Sequence, residues 1–160
     1  MFKGIVLHWT AGNYTPNSTD LQHYHYLFDG QGKLYVGKYE PRDNLNCTDG
    51  KYAAHTGGGN TGRIGIAICC RKNTNTQPTQ KQVEAMCKKA AECCITYGIS
   101  VDKVQTHAEF GLDNPKTTSF GKIDINVLPY AKVSGIKACG DYLRNKVKWY
   151  YNKIKGDYLL

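Results

Sequence analysis

Apolar positions follow two rhythms along this chain. Gly4-Ile5-Val6-Leu7 and the run "RIGIAICC" at 63 to 70 are short, nearly continuous apolar stretches, the pattern of strands covered on both faces. Tyr24 to Phe28 alternates aromatic and other residues, Asp29-Gly30-Gln31-Gly32 supplies a turn, and Lys33 to Lys38 returns, which predicts a hairpin. "VDKVQTH", 101 to 107, predicts a further short strand. The second rhythm is helical. Val83, Met86, Cys87, Ala90, Ala91 and Cys94 share one face of a helix that Thr79 can cap and Gly98 can end. The capping cluster Asn17 to Asp20 announces a short helix through Leu21-Gln22-His23. Ile136, Cys139, Leu143, Val147, Tyr150 and Ile154 mark the apolar face of a basic C-terminal helix, placed at 130–155 and packed on the body. Residues 40–62 and 108–128 read as loops. Strands interleaved with helices, without repeat or linker, predict one α/β domain over 1–160, a central sheet with helices packed on it.

Charge narrows the partners. A net charge of +8 favours polyanionic surroundings: nucleic acid, anionic lipid or anionic wall polymer. The lysines concentrate at 81 to 89 and 132 to 155, but no nucleic-acid-binding motif accompanies them, so no nucleic-acid partner is expected. The basic C-terminal helix suits an anionic cell-wall polymer or membrane surface. Seven cysteines without a C-x-x-C exclude the usual zinc-ribbon and thioredoxin patterns and predict free thiols. Met1-Phe2-Lys3 leads straight into the first strand, so no signal peptide is read and synthesis in a reducing cytoplasm is expected, as a monomer.

The chemistry begins where two strands end. His8 and His107 each close an apolar stretch, and if those strands are parallel neighbours both imidazoles reach one edge of the sheet, where open α/β sheets gather ligands. Lys122-Ile123-Asp124 is the tightest charged cluster in the loop that follows, and two imidazoles with one carboxylate form a recognised catalytic zinc set. From spacing alone the alternative stays open that both histidines merely bond to backbone. His25 alternates with Tyr24, which assigns it to the opposite side of its strand and to a structural role, and His23 precedes the strand at the surface.

Five segments in order carry a resemblance: "IVLHWTAGN" with His8, "YHYLFDGQGKLYVG" with Tyr24, "AAHTGGGNTGRIGIAI" with His55 and Asn60, "THAEFG" with His107 and Glu109, and "GKIDI" with Lys122 and Asp124. Together, over residues 4 to 126, they resemble the type 2 N-acetylmuramoyl-L-alanine amidases, the superfamily shared with phage amidase-lysozymes and peptidoglycan recognition proteins. The resemblance implies a central mixed β-sheet flanked by helices. It implies a hydrolase that cuts the amide between N-acetylmuramic acid and L-alanine of the peptidoglycan stem peptide. It further implies Zn2+ held by His8, His107 and Asp124, with Tyr24 and Lys122 as catalytic side chains and His55, Asn60 and Glu109 toward the substrate. The sequence departs from the family in a longer segment between His107 and Lys122, and in Ile125-Asn126 where Pro-Gly commonly follows the last ligand. Asp113 is the competing third ligand, although it lacks a lysine two residues before it. With the missing signal, the resemblance favours a bacteriolytic phage or prophage endolysin that reaches the cell wall after holin-type release. The alternative is a module that recognises peptidoglycan without cutting it.

Overall fold

Each apolar run becomes a strand and each helical rhythm a helix. In the computed structural model, which describes residues 1–159, the order is β1 (Gly4–Trp9), α1 (Ser18–His23), β2 (Tyr26–Phe28), β3 (Leu34–Val36), β4 (Arg63–Ile68), α2 (Gln80–Tyr97), β5 (Val104–Thr106), α3 (His107–Asp113), β6 (Val127–Leu128), β7 (Val133–Ser134) and α4 (Ile136–Leu159). The main sheet runs β3-β2-β4-β1-β5. Its four strands β2, β4, β1 and β5 are parallel, and β3 joins the edge antiparallel through the hairpin. This is the mixed α/β sheet that the sequence implies. β4 lies in the middle, which is why its residues are apolar on both faces.

Strand alternation sorts the side chains between two faces. Ile5, Leu7, Ile64, Ile66 and Ile68 enter one core with Val83, Met86 and Ala90 of α2 and Cys139, Leu143 and Val147 of α4. Burial of each such Ile, Leu or Val side chain contributes roughly 1.5–3 kcal/mol. The other face carries the smaller cluster Leu27, Ala67 and Cys69 together with His8, whose parity is that of Val6. A helical layer therefore shields one side of the sheet and leaves the other to polar chemistry.

The helix ends follow their sequence signals. Asn17 and Asp20 form a capping box on α1, and Thr79 and Gln82 form one on α2, which Gly98 ends in the left-handed conformation at φ 66°. Two expectations are corrected. The segment 108–128 is not all loop, because Thr106 and Glu109 build a capping box that starts α3 at His107, and β6 lies at its end. The C-terminal helix begins at Ile136 instead of 130 and continues to Leu159. Before it, a 3-10 turn at Pro129–Ala131 breaks the chain, as do Lys132 at φ 55° and Gly135 at φ 108°. All seven cysteines are free. No helix among the described residues is long and apolar enough to cross a membrane.

Candidate metal centre

β1 and β5 are parallel neighbours with Leu7 opposite Thr106, so the next residue along each chain, His8 and His107, reaches the same height at the C-terminal edge of the sheet. The third group arrives from the segment after α3, tied down where the Ala108 N–H donates to the Asp124 carbonyl at 2.6 Å. His8 Nδ1 then lies 3.1 Å from Asp124 Oδ2, and His107 Nδ1 lies 3.4 Å from Asp124 Oδ1. One donor atom from each of the three falls within 4.8 Å of the others, and all three residues are buried. Asp113 stays outside this group, exposed, with Oδ2 accepting from Gln105 Nε2 at 3.3 Å.

Burial pushes the His8 imidazolium down to about 4, against the opposing pull of its hydrogen bond to Asp124, so His8 is neutral near pH 7. Burial works to raise the Asp124 carboxyl, but the His107 and His8 nitrogens against its two oxygens prevail and hold it well below the usual carboxylate range. An ionised carboxylate and two imidazole nitrogens thus face one point. A divalent cation there would satisfy all three, and this donor set fits zinc, which takes three protein ligands at catalytic sites and keeps one position open.

The open side is a cavity of about 620 Å³ whose lining includes Trp9, Tyr24, His107, Lys122, Ile123 and Asp124. The Tyr24 ring centroid is 5.1 Å from that of His8. Burial, and then the nearby Asp124 charge, raise the Tyr24 phenol above its ordinary value, which keeps it protonated. Lys122 is exposed on the cavity lining, two residues before Asp124.

Of the three residues expected toward substrate, His55 borders the cavity, whereas Asn60 and Glu109 lie off it. His55 is only 6% exposed, with its Nδ1 3.2 Å from His8 Nε2. Burial, and then the neighbouring His8, push its imidazolium well down. Asn60 is absent from the cavity lining; its Oδ1 accepts from the backbone N–H groups of His55 and Thr56 at 2.9 and 2.7 Å and so folds the glycine-rich segment. Glu109 also lies off the cavity, because its two oxygens accept from Arg144 Nη1 and Nη2 at 2.7 and 2.8 Å while Oε1 takes the Thr106 N–H. His25 is structural, buried between the Gly65 N–H, which donates to its Nδ1, and Asn44 Oδ1, which accepts from its Nε2–H. His23 is exposed, bonded to the Ala54 carbonyl, and reaches the cavity lining.

Sequence reasoning passed over Thr56 and Ser119, which both contact the histidines. Ser119 stands 12 residues after His107 in an unremarked "TTSF", and no spacing rule marks it.

The sequence pattern of the N-acetylmuramoyl-L-alanine amidase family Amidase_2 matches residues 2–121, taking in His8, Tyr24, His55, Asn60 and His107 and stopping short of Lys122 and Asp124. A probable N-acetylmuramoyl-L-alanine amidase of Bacillus licheniformis is 26% identical over 124 residues, 66% of this chain and 33% of that protein. This chain thus spans about a third of the length of that relative. Among solved structures, the crystal structure of drosophila peptidoglycan recognition protein SD aligns at 22% identity over 66% of this chain and 67% of that one, with a TM-score of 0.45. The structure of PlyL aligns at 17% identity over 68% and 69%, with a TM-score of 0.46. With three quarters of its length matched, the chain belongs to the N-acetylmuramoyl-L-alanine amidase family, Amidase_2.

Proposed function

We propose that this chain is a zinc-dependent hydrolase of peptidoglycan that cleaves the amide between N-acetylmuramic acid and L-alanine of the stem peptide. The observation that carries the reading is the convergence of one donor atom each from His8, His107 and Asp124 within 4.8 Å, beside an open cavity, in a chain of this family. Zinc held by these three would supply Lewis acidity, polarising the scissile carbonyl and making water a nucleophile near neutral pH.

The side chains around it supply the rest. Lys122, on the cavity lining, offers an ammonium to the oxyanion that develops as the amide carbonyl becomes tetrahedral, a donor worth roughly 3–4 kcal/mol in the transition state. Tyr24 acts as a hydrogen-bond donor, since its surroundings hold the phenol protonated. Asp124 keeps its negative charge and orients both imidazoles through its two oxygens. Asn60 and Glu109 serve by holding backbone and helices in place, while His55, beside His8 and on the cavity lining, supports the ligand and borders the substrate.

The biological setting that suits this activity is lysis of a bacterial wall by a phage or prophage endolysin after holin-type release from the cytoplasm. The +8 charge supports attraction to the anionic wall or membrane surface, with the lysines of α4 as its densest part.

Mass spectrometry of purified peptidoglycan incubated with the zinc-loaded protein, beside a chelated control, tests the proposal. The expected result is zinc-dependent release of stem peptides beginning with L-alanine. No release from several peptidoglycan types at any zinc loading would overturn it and leave recognition without cleavage as the reading.

A further inference from the structure

α4 sends Cys139, Leu143 and Val147 into the core, yet one of its largest side chains stays outside. Trp149 is 57% exposed, and a large aromatic ring left in water calls for a partner. It does not stand alone. Tyr142, Asn145, Lys146 and Trp149 recur at spacings of three and four along α4, which places them on one stripe of the helix. With Tyr150 and with Glu84 of α2 they line a pocket of about 400 Å³, inside the range of about 300–1,000 Å³ typical of small-ligand sites. It shares no residue with the cavity of the metal centre. Glu84 Oε1 accepts from the Tyr150 hydroxyl at 2.8 Å, and Glu84 Oε2 lies 2.6 Å from Lys146 Nζ, so the two helices tie the pocket together. The Tyr150 ring meets the Trp149 ring edge-on at 5.0 Å, and Lys153 Nζ stands 5.0 Å from the indole centre. Both brace the indole without covering it.

The lining selects its ligand. Glu84 and Lys146 neutralise each other, so the pocket offers no uncompensated charge to an anion or a cation. A purely apolar ligand would strip water from the Asn145 amide and from the ion pair without replacing it. What matches both halves is a neutral molecule with an apolar face for the indole and a polar rim for the amide and the paired charges. A pyranose sugar has that shape: its axial C–H bonds form an apolar face, and hydroxyl and acetamido groups project around its rim. Asn145 is exposed, and its amide can both donate to and accept from those groups. We infer that this pocket of α2 and α4 is a saccharide-binding site, separate from the metal centre, that takes an uncharged N-acetylated hexose of a glycan strand. The strand as source rests on the peptidoglycan reading, since that polymer repeats such sugars. Held here by one strand, the protein keeps its metal centre free for a neighbouring one, at a raised effective concentration of substrate.

A tetramer of N-acetylglucosamine is the probe, because it carries the sugar backbone without a stem peptide. The protein has two tryptophans, so each indole N–H reports on one place: Trp149 on the pocket, and Trp9 on the cavity of the metal centre. Titrating the tetramer into 15N-labelled protein should shift the Trp149 indole and Asn145 amide resonances and leave Trp9 in place. The affinity should be the same at low and high salt, because the ligand is uncharged. Trp149→Ala, followed through Asn145, should weaken binding at least about tenfold, the loss expected for an aromatic anchor. Trp149→Phe, which keeps an aromatic face, should lose less, and Asn145→Ala should weaken binding as followed through Trp149. A Trp9 resonance at its wild-type position verifies the fold of each variant. No shift, a shift at Trp9 alone, or wild-type affinity in Trp149→Ala would overturn the inference. So would a Trp149 response to polyphosphate but not to the tetramer, which would assign the face to polyanions. The amidase reading fails separately: binding at Trp149 without stem-peptide release from peptidoglycan would keep the saccharide site and remove the amidase, and release without a Trp149 response would do the reverse.

Discussion

At the scale of single residues, the site divides labour between groups that face the cavity and groups that hold them. His8, buried and neutral, and Asp124, buried and ionised, illustrate how one environment drives two titratable groups in the directions metal binding requires. Lys122 is the cavity-lining residue whose loss should separate chemistry from binding. Lys122→Ala is expected to lower kcat about 100–1,000-fold, the cost of one preorganised oxyanion donor, with zinc affinity unchanged. Turnover within a few-fold of wild type would remove it from the mechanism. At this scale the sequence was most legible where a residue type is rare and its position special. Two histidines ending two strands, and a carboxylate beside a lysine, could be picked out. Glu109 could not be placed, because its ion pair with Arg144 joins residues 35 apart in the chain and nothing local announces it.

Between elements, His25 shows how a titratable side chain can serve as a structural joint. It precedes β2 and takes the Gly65 N–H of β4 on Nδ1, a bond that exists only while the ring is neutral. Burial pushes its imidazolium from the usual 6.5 down to about 4. The unfolded chain therefore binds more protons between pH 6.5 and 4, so stability is intact above 6.5 and falls as the pH drops through that window. At about 1.36 kcal/mol per pKa unit, His25 alone should cost about 3 kcal/mol by pH 4. Urea midpoints of the metal-free protein measured across this range should fall with a shallower slope in His25→Gln than in wild type; identical slopes would contradict the assignment. Most elements could be read from apolar periodicity and caps, including β1, β4, α1 and α2. What escaped were α3 and the turn at 129–135. The Thr106-x-x-Glu109 capping box was present in the sequence, but it follows a strand without a polar spacer and precedes a glycine-containing heptad that reads as loop. The break before α4 depends on Lys132 in a left-handed conformation, which its residue type does not signal.

Across the whole molecule, the sheet assigns one face to stability and the other to chemistry. α2 and α4 seal Ile5, Leu7, Ile64 and Ile66 on the first, while the parallel arrangement of β1, β4 and β5 aligns strand ends on the second and brings together residues 116 apart. Parallel pairing of β1 with β5 was the topological condition on which the sequence reading of His8 and His107 depended, and the register meets it. The choice between Asp124 and Asp113 was beyond sequence because it turns on the path of the chain after α3, where the Ala108 N–H captures the Asp124 carbonyl. Titration calorimetry of Zn2+ into the wild type, Asp124→Ala and Asp113→Ala tests the central claim most directly. The account predicts one zinc per chain in the wild type and in Asp113→Ala, with affinity lowered at least about tenfold in Asp124→Ala. Wild-type affinity in Asp124→Ala, or loss of zinc in Asp113→Ala, would contradict it.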